Sequence, residues 1–140
     1  MCFVIVRFLN WSVLLIHAST SRYHAQEDGV HRTLTSNGTL LFAGTGIPAL
    51  RNDTVGIVKP GVWHHLVYVR EHATIRVYLD GELMLSGNTV ESAYGTSNRI
   101  VAGIRPDNVL PFGGLLDELA IYNRALTGLE VRRHYQASKP

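Results

Sequence analysis

The residues of this chain best suited to chemistry include an adjacent pair of histidines. His64 and His65 follow Trp63, and imidazole can ligate zinc or act as a base near neutral pH. Successive residues of a strand point to opposite faces of a sheet, so histidines that adjoin on a strand cannot share one metal ion. The pattern favours two structural histidines, with His65 buried and hydrogen-bonded to the backbone and His64 exposed to solvent.

Two predicted loops carry side chains that suit the binding of a sugar. Tyr94 lies in the first loop, and Arg105, Asp107 and Asn108 lie in the second. An aromatic ring can stack on a sugar ring, while the polar groups can hydrogen-bond its hydroxyls. An ordinary pair of surface loops carries similar residues. These four residues are nevertheless the candidate ligand-binding set.

The segments that must position these residues have the alternation of β-strands. Residues 63–69 carry bulky side chains at both odd and even positions, which predicts a strand inside a sheet that is covered on both faces or that curves around its own contents. Residues 74–79 form the next strand. The Asp80-Gly81 pair suits the turn after it, because both residue types tolerate positive φ. The apolar residues in phase on these strands predict one core that contains Trp63, Val67, Val77, Leu119 and Ile121.

The end of the chain predicts a single helix. Thr127 can cap it, and Glu130 stands three residues further on, as a capping box requires. Leu126 and Val131 are spaced to pack against each other across the cap. Helical periodicity is almost absent elsewhere, so the sequence predicts an all-β fold, an antiparallel β-sandwich with one short C-terminal helix.

The composition is that of one globular domain spanning residues 1–140. A chain of 140 residues buries a single core, so a second domain is not expected. The formal net charge of +2 is small and scattered, which argues against a nucleic-acid partner. No apolar run approaches the ~20 residues that a membrane-spanning helix needs.

The first eighteen residues have two interpretations. Their apolar character is consistent with a cleaved signal peptide centred on residues 13–16. Arg7 and Asn10 interrupt that pattern. Residues 3–9 and 12–17 are equally consistent with two short buried strands.

The last part of the chain carries the most distinctive motifs. Residues 61–69 read GVWHHLVYV, and residues 114–127 read GLLDELAIYNRALT. Together with the Asp80-Gly81 turn, they resemble the laminin G-like, concanavalin A-like jelly-roll domain, closely over residues 61–135 and loosely before them. The resemblance implies a jelly roll and favours strands within residues 1–18. The family's first strand is missing or unrecognisable before Met1, which implies N-terminal truncation as one interpretation.

The resemblance also implies a class of function. Its members are extracellular or cell-envelope domains of larger proteins, so we expect a non-catalytic module that binds a glycan or an extracellular protein. A protein-adhesion or spacer domain without a small ligand is one alternative, and a glycoside hydrolase is another, since glucanases share the jelly roll. Those glucanases place paired carboxylates at alternate positions of one strand. Asp117 and Glu118 are neighbours that face opposite ways, so an enzyme is not expected.

A structural calcium ion is a further implication of the resemblance. In related jelly rolls, the aspartate that opens the final strand often contributes an oxygen to calcium, a cation that prefers oxygen ligands. Asp117 occupies that position in this sequence. The alternative is that Asp117 accepts hydrogen bonds from backbone amides at a sheet edge.

Overall fold

The computed structural model describes most of the second half of the chain and the strands of the first half. The backbone is described at residues 3–10, 15–19, 29–34, 40–44, 47–52, 54, 56–59, 61–88, 99–102 and 112–138. Side chains are described at residues 50, 52, 54, 56–59, 61–88 and 112–138.

The described residues form ten strands and one helix. In chain order these are β1 (Phe3–Asn10), β2 (Leu15–Ser19), β3 (Gly29–Leu34), β4 (Leu40–Gly44), β5 (Ile47–Asn52), β6 (Trp63–Glu71), β7 (Thr74–Leu79), β8 (Glu82–Asn88), β9 (Arg99–Ala102), β10 (Gly114–Tyr122) and α1 (Gly128–Ala137). Sheet A has the order β10-β1-β6-β7-β8, and sheet B has the order β5-β4-β3-β2-β9. Every pairing is antiparallel. The predicted antiparallel β-sandwich with one short C-terminal helix is therefore confirmed.

Two N-terminal strands overlap the segments that one interpretation of the first eighteen residues assigns to strands. β1 covers the first predicted segment, and β2 overlaps the second. β1 is inserted between β6 and β10, so it joins the two parts of the sequence that carry the motifs. That the whole chain forms a single domain stays a prediction.

Sheet A is covered on both faces, which is one of the arrangements that bulky side chains on both faces of β6 predict. On its inner face, Tyr68 stands opposite Val77, and Val77 stands opposite Leu85. This face meets sheet B, where Leu50 of β5 packs against Gly87 of β8. On the outer face, Val67 and its partner Tyr78 pack against the C-terminal segment. Six consecutive residues of β6, from His64 to Val69, are buried as a result.

The helix α1 begins where the capping box predicts. The Thr127 hydroxyl accepts a hydrogen bond from the Glu130 N–H at 3.2 Å, and the Glu130 carboxylate accepts one from the Thr127 N–H at 2.8 Å. Arg124 also donates to Glu130, at 2.6 and 3.0 Å. Leu126 and Val131 are fully buried in the cluster on the outer face of sheet A. The capping box and this apolar contact, both predicted, therefore hold the helix against sheet A.

The prediction of one core with five members is wrong in part. Val67 and Val77 are buried, although on opposite faces of sheet A. Trp63, Leu119 and Ile121 are exposed by 36%, 51% and 53%. β10 is the last strand of sheet A, and among the described residues no strand pairs with its second edge, so its side chains are covered from one flank only. Trp63 lies at the start of β6, beyond the part of the outer face that α1 covers.

The contact between Gly87 and Leu50 gives a test of how the two sheets pack. A Cβ at residue 87 would lie 2.6 Å from Leu50 Cδ2, so Gly87→Ala should lower the free energy of unfolding by about 1–3 kcal/mol. The double variant Gly87→Ala, Leu50→Ala should lose less than the sum of the single changes, because the smaller residue 50 admits the new methyl group. Urea denaturation measures both. Strictly additive losses would show that the two residues do not touch.

Candidate functional site

The turn between β7 and β8 supplies a carboxylate to the start of β6. Asp80 has φ of 52° and Gly81 has φ of 83°, as their residue types predict for this turn. Asp80 Oδ2 accepts a hydrogen bond from His64 Nδ1 at 2.7 Å, and Asp80 Oδ1 accepts one from the His65 N–H at 2.9 Å. The Asp80 N–H donates to the His65 carbonyl at 2.8 Å. One side chain thus organises both histidines of the motif.

His64 is buried, which corrects the prediction that it is exposed. Its ring is 5% exposed, and Nε2 accepts a hydrogen bond from the Lys59 N–H at 3.0 Å. Because Nε2 is an acceptor, the ring proton stands on Nδ1, which donates to Asp80. Both ring nitrogens are therefore used within the fold. His64 and Asp80 have the atoms of a general base and its orienting carboxylate. The basic nitrogen, Nε2, already accepts a hydrogen bond from the backbone N–H of Lys59.

The carboxyl group of Asp80 is held in its charged form. Burial raises its pKa, but the hydrogen bond from the His64 ring and the one from the His65 N–H lower it, as do the charges of both imidazoles. The net pKa lies below the ordinary value of 3.8. The stability that Asp80 contributes is present above pH ~4 and is lost as the pH falls through the lowered pKa.

His65 is buried as predicted, but it does not make the predicted hydrogen bond. The residue is 3% exposed, and neither ring nitrogen has a hydrogen-bond partner within the part of the chain that the structure describes. Its ring centroid lies 6.0 Å from that of Tyr135 on α1. Burial lowers the pKa of His65 from 6.5 to about 4; the charge of His134 acts in the same direction, and Asp80 opposes it.

Substitution of Asp80 tests the organising role of its carboxylate. Asp80→Ala should lower the free energy of unfolding at pH 7 by about 2–4 kcal/mol, since it leaves two buried donors without acceptors. Asp80→Asn should cost less, because asparagine tolerates positive φ and its carbonyl can still accept from the His65 N–H. Chemical denaturation at pH 7 and pH 3 measures the difference, which should shrink at the lower pH. Glu71→Ala, at a carboxylate that pairs with Arg76 on the surface, is the control and should change little.

Asp117 lies on the exposed edge strand β10. Its Oδ1 accepts a hydrogen bond from the N–H of Glu118 at 2.8 Å, and Glu118 has φ of 51°. This is the backbone-amide role that the sequence left as an alternative. The register places Asp117 opposite Arg7 of β1. Calcium takes six to eight oxygen ligands, and among the described residues no group of three or more carboxylate, histidine or cysteine side chains could hold a metal ion.

Calcium binding at Asp117 stays a prediction that a thermal melt tests. An ion that binds only the folded state raises Tm, and at a hundredfold excess over Kd the gain is about 2.7 kcal/mol. Asp117→Asn removes the charge and keeps the size, so it should abolish the rise and leave the calcium-free Tm nearly unchanged. A Tm that is the same in calcium and in chelator would contradict the prediction.

The four candidate ligand residues lie outside the described part of the chain. Tyr94, Arg105, Asp107 and Asn108 therefore stay a predicted set. The structure does place the end of the second loop, because Phe112 and Gly113 lead directly into β10.

An exposed apolar group lies at that same end of sheet A, and it was missed from the sequence. Leu115 of β10 and Trp63 of β6 are both opposite Leu9 of β1 in the register, so the three positions form one row across three strands. Trp63 is 36% exposed, and Leu115 is 58% exposed. The missed signal was the position of Trp63 as the first residue of its strand, directly after the exposed turn residues Gly61 and Val62.

The chain belongs to the concanavalin A-like lectin/glucanases superfamily. A laminin G family model of that superfamily matches residues 9–132, which confirms the resemblance stated from the motifs. No curated protein sequence matches the chain.

Solved structures share the fold at low sequence identity. The carbohydrate-binding module CBM40 of the Ruminococcus gnavus IT-sialidase, bound to α2,3-sialyllactose, matches with a TM-score of 0.75 and 15% identity, over 96% of this chain and 81% of that one. Domain 4 of AbnA, an extracellular GH43 arabinanase from Geobacillus stearothermophilus, in complex with arabinotriose, matches with a TM-score of 0.68 and 23% identity, over 94% and 65%. A heptameric SAP-like pentraxin from Limulus polyphemus matches with a TM-score of 0.68 and 17% identity, over 94% and 67%.

This chain thus spans about two thirds of the pentraxin chain and of the arabinanase-domain chain. In the described part of the chain, no helix has the length and apolarity needed to cross a bilayer.

Proposed function

We propose that this chain is a non-catalytic module that binds a glycan. The observation that carries the proposal is the exposed Trp63, at the end of sheet A where the second predicted ligand loop enters β10. Two neighbours in fold support it, since the CBM40 module and the arabinanase domain are each solved with a bound oligosaccharide. Among the described residues, the only basic nitrogen oriented by a carboxylate, His64 Nε2, is occupied by a backbone amide.

Trp63 is suited to be the stacking surface of the site. An indole ring stacks on the apolar face of a sugar through its large, rigid surface, and an exposed aromatic ring is what such contact requires. Trp63 and Leu115 lie on either side of β1, and the two inter-strand spacings set a separation of about 10 Å, which is the scale of a disaccharide. The polar side chains of the predicted set would then fix the orientation of the sugar.

The proposal includes a location and a context. The arabinanase whose domain shares this fold is described as extracellular, and glycans of this kind are found outside the cell. We propose that the chain acts in an extracellular or cell-envelope protein, as one part of a larger molecule.

A protein partner is the second candidate, and the edge of β10 favours it. Leu115, Leu116, Leu119 and Ile121 are exposed by 38–58% on a strand whose second edge has no partner strand among the described residues. An extended segment of another protein can add a strand to such an edge, with main-chain hydrogen bonds for affinity and apolar contacts for specificity.

A glycan array distinguishes the two candidates. The full chain should bind sialylated or arabinan-type oligosaccharides, with α2,3-sialyllactose and arabinotriose as the first probes, in the presence and absence of calcium. Absence of binding to every glycan would contradict the main proposal and leave the protein partner.

Trp63 variants then test the site itself. Trp63→Ala should weaken glycan binding at least about tenfold by calorimetry, while Trp63→Phe keeps a stacking surface and most of the affinity. Because Trp63 is partly exposed, Trp63→Ala should destabilise the fold less than the ~3–5 kcal/mol of a buried aromatic residue. Leu129→Ser, at a residue 58% exposed on α1, is the control. Unchanged affinity in Trp63→Ala would place the glycan elsewhere.

A further inference from the structure

Among the described side chains, the ring of His65 is the buried polar group whose nitrogens lack hydrogen-bond partners. The imidazole is 3% exposed. A buried polar atom without a partner costs free energy, because it has given up its hydrogen bonds to water. Most such groups in proteins are paired, so an exception calls for a physical account.

We propose that His65 is an acid-sensitive latch, which holds the C-terminal turns of α1 on sheet A at neutral pH and releases them when the ring is protonated. The proposal does not depend on glycan binding. It rests on the position of His65, whose ring lies on the outer face of sheet A beneath Tyr135 of α1.

The charged groups around His65 are of both signs, but none of the described ones accepts a hydrogen bond from its ring. The charge of Asp80 favours protonation, yet its oxygens accept hydrogen bonds from His64 and from the backbone of His65. On α1, His134 adds positive charge, and Arg132 lies 3.6 Å from Glu82 of β8. On the other side, the register position next to His65 is Arg7 of β1, and Asp117 of β10 stands beyond it.

The aromatic neighbours of this cluster link the latch to the helix. Tyr135 covers His65, and His134 meets the Tyr122 ring edge-on at a centroid distance of 5.7 Å. The side chain of Tyr135 also comes within 3.0 Å of the position that a Cβ on Gly81 would occupy. Protonation of His65 requires water at the ring, and Tyr135 is the described group that excludes it from the side of α1.

The two ends of α1 respond differently to acid. The hydrogen bonds from Arg124 and from Thr127 lower the pKa of Glu130 to about 2, so the N-terminal cap keeps its charge in mild acid. Leu126 and Val131 anchor the same end by apolar contact. Between pH 6.5 and about 4, the open state binds a proton at His65 and the closed state does not, so acid favours opening. Only the turns around His134 and Tyr135 are released.

Hydrogen exchange of the full chain tests the latch. After correction for the intrinsic rate, the opening equilibrium of amides 134–138 should rise roughly 30-fold between pH 7.5 and pH 5, from a pKa of 6.5 in the open state and about 4 in the closed state. Amides 130 and 131 at the capped end, which donate to Thr127, should change much less. Equal protection of residues 134–138 at both pH values would overturn the proposal.

Two variants separate His65 from the other titrating groups. His65→Leu should abolish the acid response while the helix stays docked, and His72→Gln, at an exposed histidine, should retain it. An unchanged response in His65→Leu would overturn the proposal. If that variant does not fold, NMR titration of the wild-type His65 ring decides: titration near pH 6.5 contradicts the latch, and titration well below pH 6 supports it.

Discussion

The centre of sheet A depends on the hydrogen bonds that the carboxylate of Asp80 accepts. β6 is buried on both faces, so the polar groups at its start cannot reach water and must find partners inside the protein. Asp80 supplies an acceptor to the side chain of His64 and another to the backbone of His65. His64 in turn accepts from Lys59, in the segment before the strand. The turn between β7 and β8 thereby fixes the position at which β6 begins.

The two histidines show how opposite faces of one strand acquire opposite chemistry. His64 faces the inner layer with both nitrogens hydrogen-bonded, whereas His65 faces the helix, and neither of its nitrogens has a partner among the described residues. The difference follows from the pleat, because the Asp80 side chain can reach only one of the two rings while its second oxygen takes the backbone amide. The same carboxylate therefore stabilises the ring of His64 and gives no acceptor to the ring of His65.

Most of the fold could be predicted from patterns within short segments. The site could not, because it depends on contacts between segments that are distant in the sequence. Thr127 and Glu130 lie within one turn of helix, so the capping box could be found by spacing alone. The strand alternation of residues 63–69 likewise predicted a doubly covered strand. The burial of His64 depends on Lys59 and Asp80 arriving from two other segments, and the exposure of Leu119 and Ile121 depends on the position of β10 at the edge. No pattern within a single strand contains that information.

The bulge in β10 affects how readily the edge of this strand can pair with other chains. Between Asp117 and Ala120, this strand has one more residue than β1 opposite, and Glu118 adopts positive φ there. The extra residue interrupts the regular pairing of β10 at Glu118, whose side chain is exposed. A long flat edge would recruit any extended chain indiscriminately. A bulged edge with an exposed charge resists such association.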